Sequence, residues 1–378
     1  MTNVYLNHAA TSFPKPRAVM EAVVRWFEQP PVDAARGGDA GCDPVTPCRQ
    51  QFAQLLGVTD PGRVVLLPSA THALNLVVAG LAAPGSHVVT SVLEHNSLLR
   101  PLAHRERDHG VAVSYLGVDE EGMIDPGQLV RALRPHTSLV ALCHASNVTG
   151  AIQPVAELAA VAAGAGVPLL LDAAQTAGAL DICHRDFPGR VFVAFAGHKG
   201  LLGPPGVGGL VIPDGKLPQT VVGGTGIRSE SLLHPAELPL RHEAGTPNLP
   251  GLAGLLAGVQ HVRNHTPASL GAHRAELVTR LRHALQTVAG VRLLPLAGDD
   301  GRVGIVAFSL EGWAPDQAGF VLRESFGIEV RAGLHCAPLV PGALRVDPRG
   351  TVRASVGWST TREDVDALVA AVTGLGAR

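Results

Sequence analysis

Phe195-Ala196-Gly197-His198-Lys199-Gly200-Leu201-Leu202-Gly203-Pro204 decides how this chain is read. The sequence has only three lysines, Lys15, Lys199 and Lys216. Lys199 follows an apolar, strand-like run and precedes a Gly/Pro-rich turn, which predicts an amine at the end of a core strand. Desolvation there favours the neutral form, and a neutral buried amine is the nucleophile that forms a Schiff base with an aldehyde. Upstream lies Leu169-Leu170-Leu171-Asp172-Ala173-Ala174-Gln175, a second apolar run that ends in a carboxylate. Pyridoxal 5'-phosphate needs both parts. A lysine holds the aldehyde, and a carboxylate keeps the pyridine nitrogen protonated so that the ring can accept electrons.

Outward from these two runs, short apolar stretches alternate with helical patterns. Strands are predicted at 63–67, 87–92, 111–116, 138–144, 167–172, 191–195 and 207–212, with helices at 70–82, 126–133 and 155–165 among those between them. This alternation predicts an α/β fold with a mainly parallel seven-stranded sheet covered on both faces. Only a turn separates the last two strands, which predicts one antiparallel edge strand. Residues 219–250 are rich in Gly, Pro and His and read as a long ordered loop. Helices at 252–265 and 270–288 follow. Strands at 304–310 and 351–356 with helices at 316–326 and 362–375 then make a smaller α+β C-terminal domain. The organisation expected is an N-terminal segment, 1–14, packing on the small domain, a large domain over 15–255 and the small domain over 256–378.

Composition narrows the function. The chain has 378 residues, 46% hydrophobic and 16% charged, enough to bury a large core. A formal net charge of -2 leaves no electrostatic footprint for nucleic acid or an anionic membrane. No apolar run is long enough to span a bilayer, and residues 1–7 lack a signal-peptide pattern. The five cysteines, Cys42, Cys48, Cys143, Cys183 and Cys336, are odd in number and widely spaced. They fit a reducing cytoplasm better than a disulfide framework. Cys42 and Cys48 have no matching second pair, so no metal site is expected.

Polar clusters fall where the predicted strands end, the usual place for ligands in open α/β sheets. Ser69-Ala70-Thr71-His72 opens a helix and offers an anion site, although Ser is also an ordinary N-cap. Glu94-His95-Asn96, His144-Ala145-Ser146-Asn147, Asp172 with Gln175, and His198-Lys199 follow other strands. Gly203-Pro204-Pro205-Gly206-Val207-Gly208-Gly209 lacks the dinucleotide spacing and leads into a strand, so it reads as a turn. Arg331-Ala332-Gly333-Leu334-His335-Cys336-Ala337-Pro338 is the second sharp signal. The imidazole of His335 beside Cys336 is one way to favour a thiolate; a packed structural cysteine is the alternative.

Taken together, these residues resemble the class V aminotransferase fold of pyridoxal-phosphate enzymes (fold type I), within the cysteine desulfurase and selenocysteine lyase group. The resemblance runs nearly end to end. It includes Tyr5-Leu6-Asn7-His8-Ala9-Ala10-Thr11 with Lys15-Pro16, Asn147-Val148-Thr149-Gly150, Glu243-Ala244-Gly245-Thr246-Pro247-Asn248 and Val352-Arg353-Ala354-Ser355. The segment around Cys336 resembles the second desulfurase group, with a short, ordered cysteine loop. The resemblance implies that Lys199 forms the Schiff base and moves the α-proton. It implies that Asp172 pairs with the ring nitrogen, Gln175 bonds the ring oxygen and His95 stacks on the ring. Ala70, Thr71 and His198 are implied to hold the phosphate, with Thr246 reaching the phosphate of a neighbouring subunit. Asn147, Arg353 and Arg331 are implied to take the substrate carboxylate, and Cys336 to attack the substrate sulfur. Ala196 stands where a hydroxyl residue often grips the phosphate, His72 where an acidic residue is common, and Val340-Pro341 where many relatives have a histidine. The loop 32–48 is unusual in carrying two cysteines.

The expected activity is conversion of L-cysteine to L-alanine with a persulfide on Cys336, in a homodimer that passes sulfur to an acceptor protein. L-selenocysteine as substrate, another amino acid handled by a specialised lyase or aminotransferase, and a sulfur-relay scaffold without turnover are the alternatives.

Overall fold

The computed structural model describes residues 4–28, 43–294 and 303–376. Cys42, with the rest of 29–42, lies outside them. All seven strands predicted for the large domain are present: β2 (Val64–Leu67), β3 (His87–Ser91), β4 (Ala112–Leu116), β5 (Thr137–Cys143), β6 (Leu169–Asp172), β7 (Val191–Ala196) and β8 (Gly208–Val211). They form one sheet in the order β2-β8-β7-β6-β5-β3-β4. Every pairing is parallel except the two made by β8. The antiparallel strand is therefore interior, not at the edge: after the β7–β8 turn, β2 pairs on its outer side and becomes the edge. β6 and β7 are buried throughout, as the continuous apolar runs of a doubly covered parallel sheet require.

Helices α3 (Ala70–Leu81), α4 (Asn96–His109), α5 (Pro126–Ala132) and α6 (Val155–Gly164) cover the sheet, with α1 (Arg17–Phe27), α2 (Val45–Leu55) and α7 (Leu249–His265). Ser69 caps α3 by accepting from His72 N at 3.1 Å, the cap chemistry read from sequence. α7 runs unbroken past residues 255 and 256 and packs on α1 and α2. Between β8 and α7 the chain is irregular but for one short turn of 3₁₀ helix, Leu240–His242, in accord with the predicted loop. Arg49 and Glu243 pin that loop to the large domain through two hydrogen bonds of 2.8 and 3.0 Å, and Leu66 N donates to Glu243 at 2.7 Å.

A four-stranded antiparallel sheet forms the small domain. Its strands are β9 (Val291–Leu293), β10 (Ile305–Leu310), β12 (Arg331–Gly333) and β13 (Thr351–Ser355), in the order β12-β13-β10-β9. Helices α8 (Pro267–Gln286), α9 (Pro315–Phe326) and α11 (Arg362–Gly376) close its core; a single-turn helix, α10 (Val340–Ala343), follows the cysteine segment. β1 (Val4–Tyr5) adds a parallel pair to β11 (Ile328–Glu329), and Asn7 bridges to Ser355. The N-terminal segment thus lies on the small domain before reaching the large one. No helix among the described residues is long and apolar enough to cross a membrane.

Candidate active site

Parallel strands aim their carboxyl ends at one edge, and there a cavity of about 220 Å³ opens. Its wall contains Ala70, Thr71, His95, Asn147, Asp172, Gln175, His198, Lys199, Arg331, Cys336 and Arg353, the predicted site residues with one exception. Thr246 is not part of the wall; it is exposed on the 219–248 loop.

Lys199 sits in the β7–β8 turn. Gly200 must be glycine, because a Cβ would lie 2.6 Å from the carbonyl oxygen of Ala177. The N-terminal motif that ends in Thr11 and Lys15 meets this turn. The carbonyl of His198 accepts from Ser12 N at 3.0 Å, Thr11 Oγ1 at 3.0 Å and Lys15 Nζ at 2.9 Å. The Lys199 turn is thus clamped by the opposite end of the chain. Burial pulls the Lys199 amine down to about 8, against the pull of Asp172 and aided by Arg353 and Arg331. The shift is toward the neutral amine, the direction predicted from the sequence.

Asp172 ends β6 and is buried; its Oδ1 accepts from Ala174 N at 2.9 Å. Burial raises its pKa, with Ala174 and Lys199 opposing. Such a carboxylate, short of positive partners, suits a protonated ring nitrogen. Behind it lie two groups to which the sequence assigns no role in the site. Cys143 stands opposite Asp172 in the β5–β6 register. Glu94 is fully buried, accepts from Ser91 Oγ at 2.5 Å and Cys143 N at 3.1 Å, and is pushed by burial up to about 8.

His95 caps α4. Its Nδ1 accepts from Ser97 N at 3.0 Å, and Ser97 Oγ is 2.8 Å from both His95 Nδ1 and Thr71 Oγ1. Burial, with the nearby cations, lowers His95 to about 4. The ring is therefore neutral, and its proton is on Nε2. Ser97 was missed because nothing in a lone serine after His95-Asn96 distinguishes it from any first-turn residue.

The cysteine segment is fixed from three sides. His335 and Cys336 both have left-handed backbones, φ 53 and 60. Asn147 Nδ2 donates to His335 O at 2.7 Å, and Asn96 N donates to Cys336 O at 2.7 Å. His335 does not serve Cys336 as expected from sequence. Its Nε2 meets Thr351 Oγ1 at 3.0 Å, and burial, with Arg353 and Arg331, lowers it to about 3. The cation facing the thiol is Arg331, whose Nη2 donates to Cys336 Sγ at 3.6 Å.

Arg331 and Arg353 are direct cross-strand partners on β12 and β13. Arg353 is buried, with Nη1 donating to Asn147 O at 2.8 Å and Nη2 to Asn7 Oδ1 at 3.3 Å. Burial and the charge of Arg331 bring Arg353 down to about 9. Two like charges opposed in this way repel, and an anion between them relieves the cost.

Comparison with known proteins agrees with this geometry. Residues 4–368 match the family described as aminotransferase class-V. The chain belongs to that family. Among its class-V relatives, a probable cysteine desulfurase of Methanothermobacter thermautotrophicus is 31% identical over 97% of this chain and 93% of its own length. A probable cysteine desulfurase of Pseudomonas aeruginosa is 33% identical over 96% of this chain and 91% of its own. The apo structure of a cysteine desulfurase from Thermococcus onnurineus superposes with a TM-score of 0.89 at 28% identity, covering 99% of this chain and 95% of that one. The site of this class-V chain also accommodates a phosphate ester. In the first turn of α3, Ser69 Oγ takes His72 N, which leaves the N–H groups of Ala70 and Thr71 for an anion. The buried Nδ1 of His198, in the same wall, has no partner. Gly208 leaves open the space beside Ala70 N, which a Cβ would approach to 3.1 Å.

Proposed function

We propose that the chain is a pyridoxal-phosphate-dependent cysteine desulfurase that converts L-cysteine to L-alanine and leaves the sulfur on Cys336. The observation that carries this reading is a single cavity holding Lys199, Asp172 and the thiol of Cys336. A transaminase needs the first two and has no use for the third.

Lys199 would bind the cofactor aldehyde, with Asp172 at the ring nitrogen, Gln175 at the ring oxygen and His95 against the ring face. Ala70, Thr71 and His198 would take the phosphate. The bound cofactor supplies an electron sink for the substrate α-carbon. The chain's residues do the rest. Arg353 and Arg331, with Asn147, orient the substrate carboxylate. Lys199 Nζ, freed on substrate binding, receives the α-proton. Cys336 Sγ, facing the Arg331 guanidinium, attacks the substrate sulfur. The substrate C–S bond breaks, an S–S bond forms, and the carbon framework leaves as alanine after taking up the proton. L-cysteine plus the Cys336 thiol thus balance against L-alanine plus the Cys336 persulfide.

The working unit we infer is a homodimer in the cytoplasm that hands sulfur to an acceptor protein. Thr246, exposed and outside its own chain's cavity, supports a role across a twofold interface. Exposed Val222, Leu232 and Leu233 on the same loop support burial there. Cys48, Cys143, Cys183 and Cys336 are free thiols, in keeping with a reducing compartment.

The test is incubation of the holoenzyme with L-cysteine and a reductant, with alanine and sulfide both quantified. Equimolar alanine and sulfide are expected. Cys336→Ser should keep the cofactor colour and form almost no alanine from L-cysteine, while L-selenocysteine is spared. Alanine at the wild-type rate from Cys336→Ser would refute the desulfurase reading.

A further inference from the structure

Lys199 borders a second, smaller cavity of about 40 Å³, whose lining also includes His8, Ser12, Gln175, Arg274 and Trp358. We propose that this cavity binds a halide-sized monovalent anion, held by the buried guanidinium of Arg274. The site shares Lys199 and Gln175 with the larger cavity, but the proposal does not depend on the reaction argued above.

Arg274 sits on α8 and is 6% exposed. Its Nη2 donates to Ala179 O at 2.7 Å, and no carboxylate pairs with it among the described residues. A buried cation is retained when it is paired or otherwise neutralised. A backbone carbonyl supplies a dipole and no counter-charge. Burial alone lowers the guanidinium to about 10, which fits a charge left without compensation.

The other groups around the cavity add positive charge. Lys199 is in its wall. Lys15 and Arg274 both act on His8 to disfavour its protonation, with Asp364 opposing. Burial makes His8 neutral, lowering it to about 4. Ser12 Oγ accepts from Lys15 Nζ at 2.7 Å and donates to His198 O at 3.2 Å, so Arg274 is the group left to hold an anion. The volume exceeds what one water requires and suits a single halide-sized ion. Because Lys199 borders both cavities, an anion here would oppose the cations that, after burial, lower its amine.

Bromide is the probe. Crystals of the apo protein grown in bromide should show an anomalous peak in this cavity, within hydrogen-bond distance of Arg274. In solution, the thermal midpoint should rise with chloride above that in gluconate at equal ionic strength, since gluconate is too large to enter. Arg274→Gln should lose both the peak and the chloride effect, and Arg274→Lys should restore the chloride effect. The proposal is overturned by wild-type crystals with no bromide in the cavity, or by chloride and gluconate acting alike on the wild type. A bromide peak that persists in Arg274→Gln overturns it as well. The wild-type measurements decide the matter even if a variant fails to fold.

Discussion

Arg331 and Arg353 face each other directly across the β12–β13 ladder, and the charge of Arg331 bears on the buried guanidinium of Arg353. Such a pair is held together by the fold against its own repulsion, and on the function proposed above it would take the substrate carboxylate. Arg331 is the exposed member, so its removal tests recognition without opening the core. Arg331→Leu should raise KM for L-cysteine about fivefold, the effect of about 1 kcal/mol for an exposed charged hydrogen bond. Cysteamine, which keeps the amine and thiol and lacks the carboxylate, should bind equally to both proteins. An equal loss for the two ligands would assign Arg331 to the thiol alone.

Asn147 is expected to set the position of Cys336 through the His335 carbonyl. Asn147→Ala removes that bond and leaves Asn147 O, which receives Arg353, in place. Losing a buried hydrogen bond costs about 1–3 kcal/mol. Alanine formation should slow by about tenfold or more, with cofactor colour unchanged. Rescue by Asn147→Asp is not expected, because aspartate has no N–H to donate.

Much of this site could be read from the chain. Lys199, Asp172 and Cys336 sit in patterns that local chemistry explains, and the long apolar strands mark the sheet on which they stand. The short pieces could not be read. β1, β11 and β12 have two or three residues each, too few for any periodicity, yet β12 places Arg331. The reason for Thr11, Ser12 and Lys15 was equally hidden, since their bonds to His198 cross separations of 183 to 187 residues. His335 misled because adjacency in sequence says nothing about where a ring points; Thr351 captured it.

The lowered amine of Lys199 gives a pH signature. Below about 8 the folded chain carries the ammonium form, which cannot add to an aldehyde; above it the free amine prevails. Reconstitution of the apo protein with pyridoxal phosphate should accelerate about tenfold per pH unit below that point and level off above it. Stopped-flow absorbance would record this. A rate still climbing toward pH 10 would place Lys199 in an ordinary aqueous setting.

His8 and Gly357, in the small cavity beside Lys199, make a test of packing. A Cβ on Gly357 would fall 2.0 Å from His8 Nδ1. Both residues are well packed, so Gly357→Ala should cost about 1–3 kcal/mol, as overpacking does, seen as a lower urea midpoint. Adding His8→Ala should recover part of the loss. Simple addition of the two penalties would show that the clash is relieved elsewhere.

The turn that carries Cys336 has both neighbouring carbonyls tied down, by Asn147 and by Asn96. The backbone under that sulfur is held in place, which leaves side-chain rotation as its only local travel. It cannot swing outward as a cargo arm does, so distance must be closed from the other side. On the desulfurase reading proposed above, an acceptor would have to extend its own nucleophile to the cavity mouth.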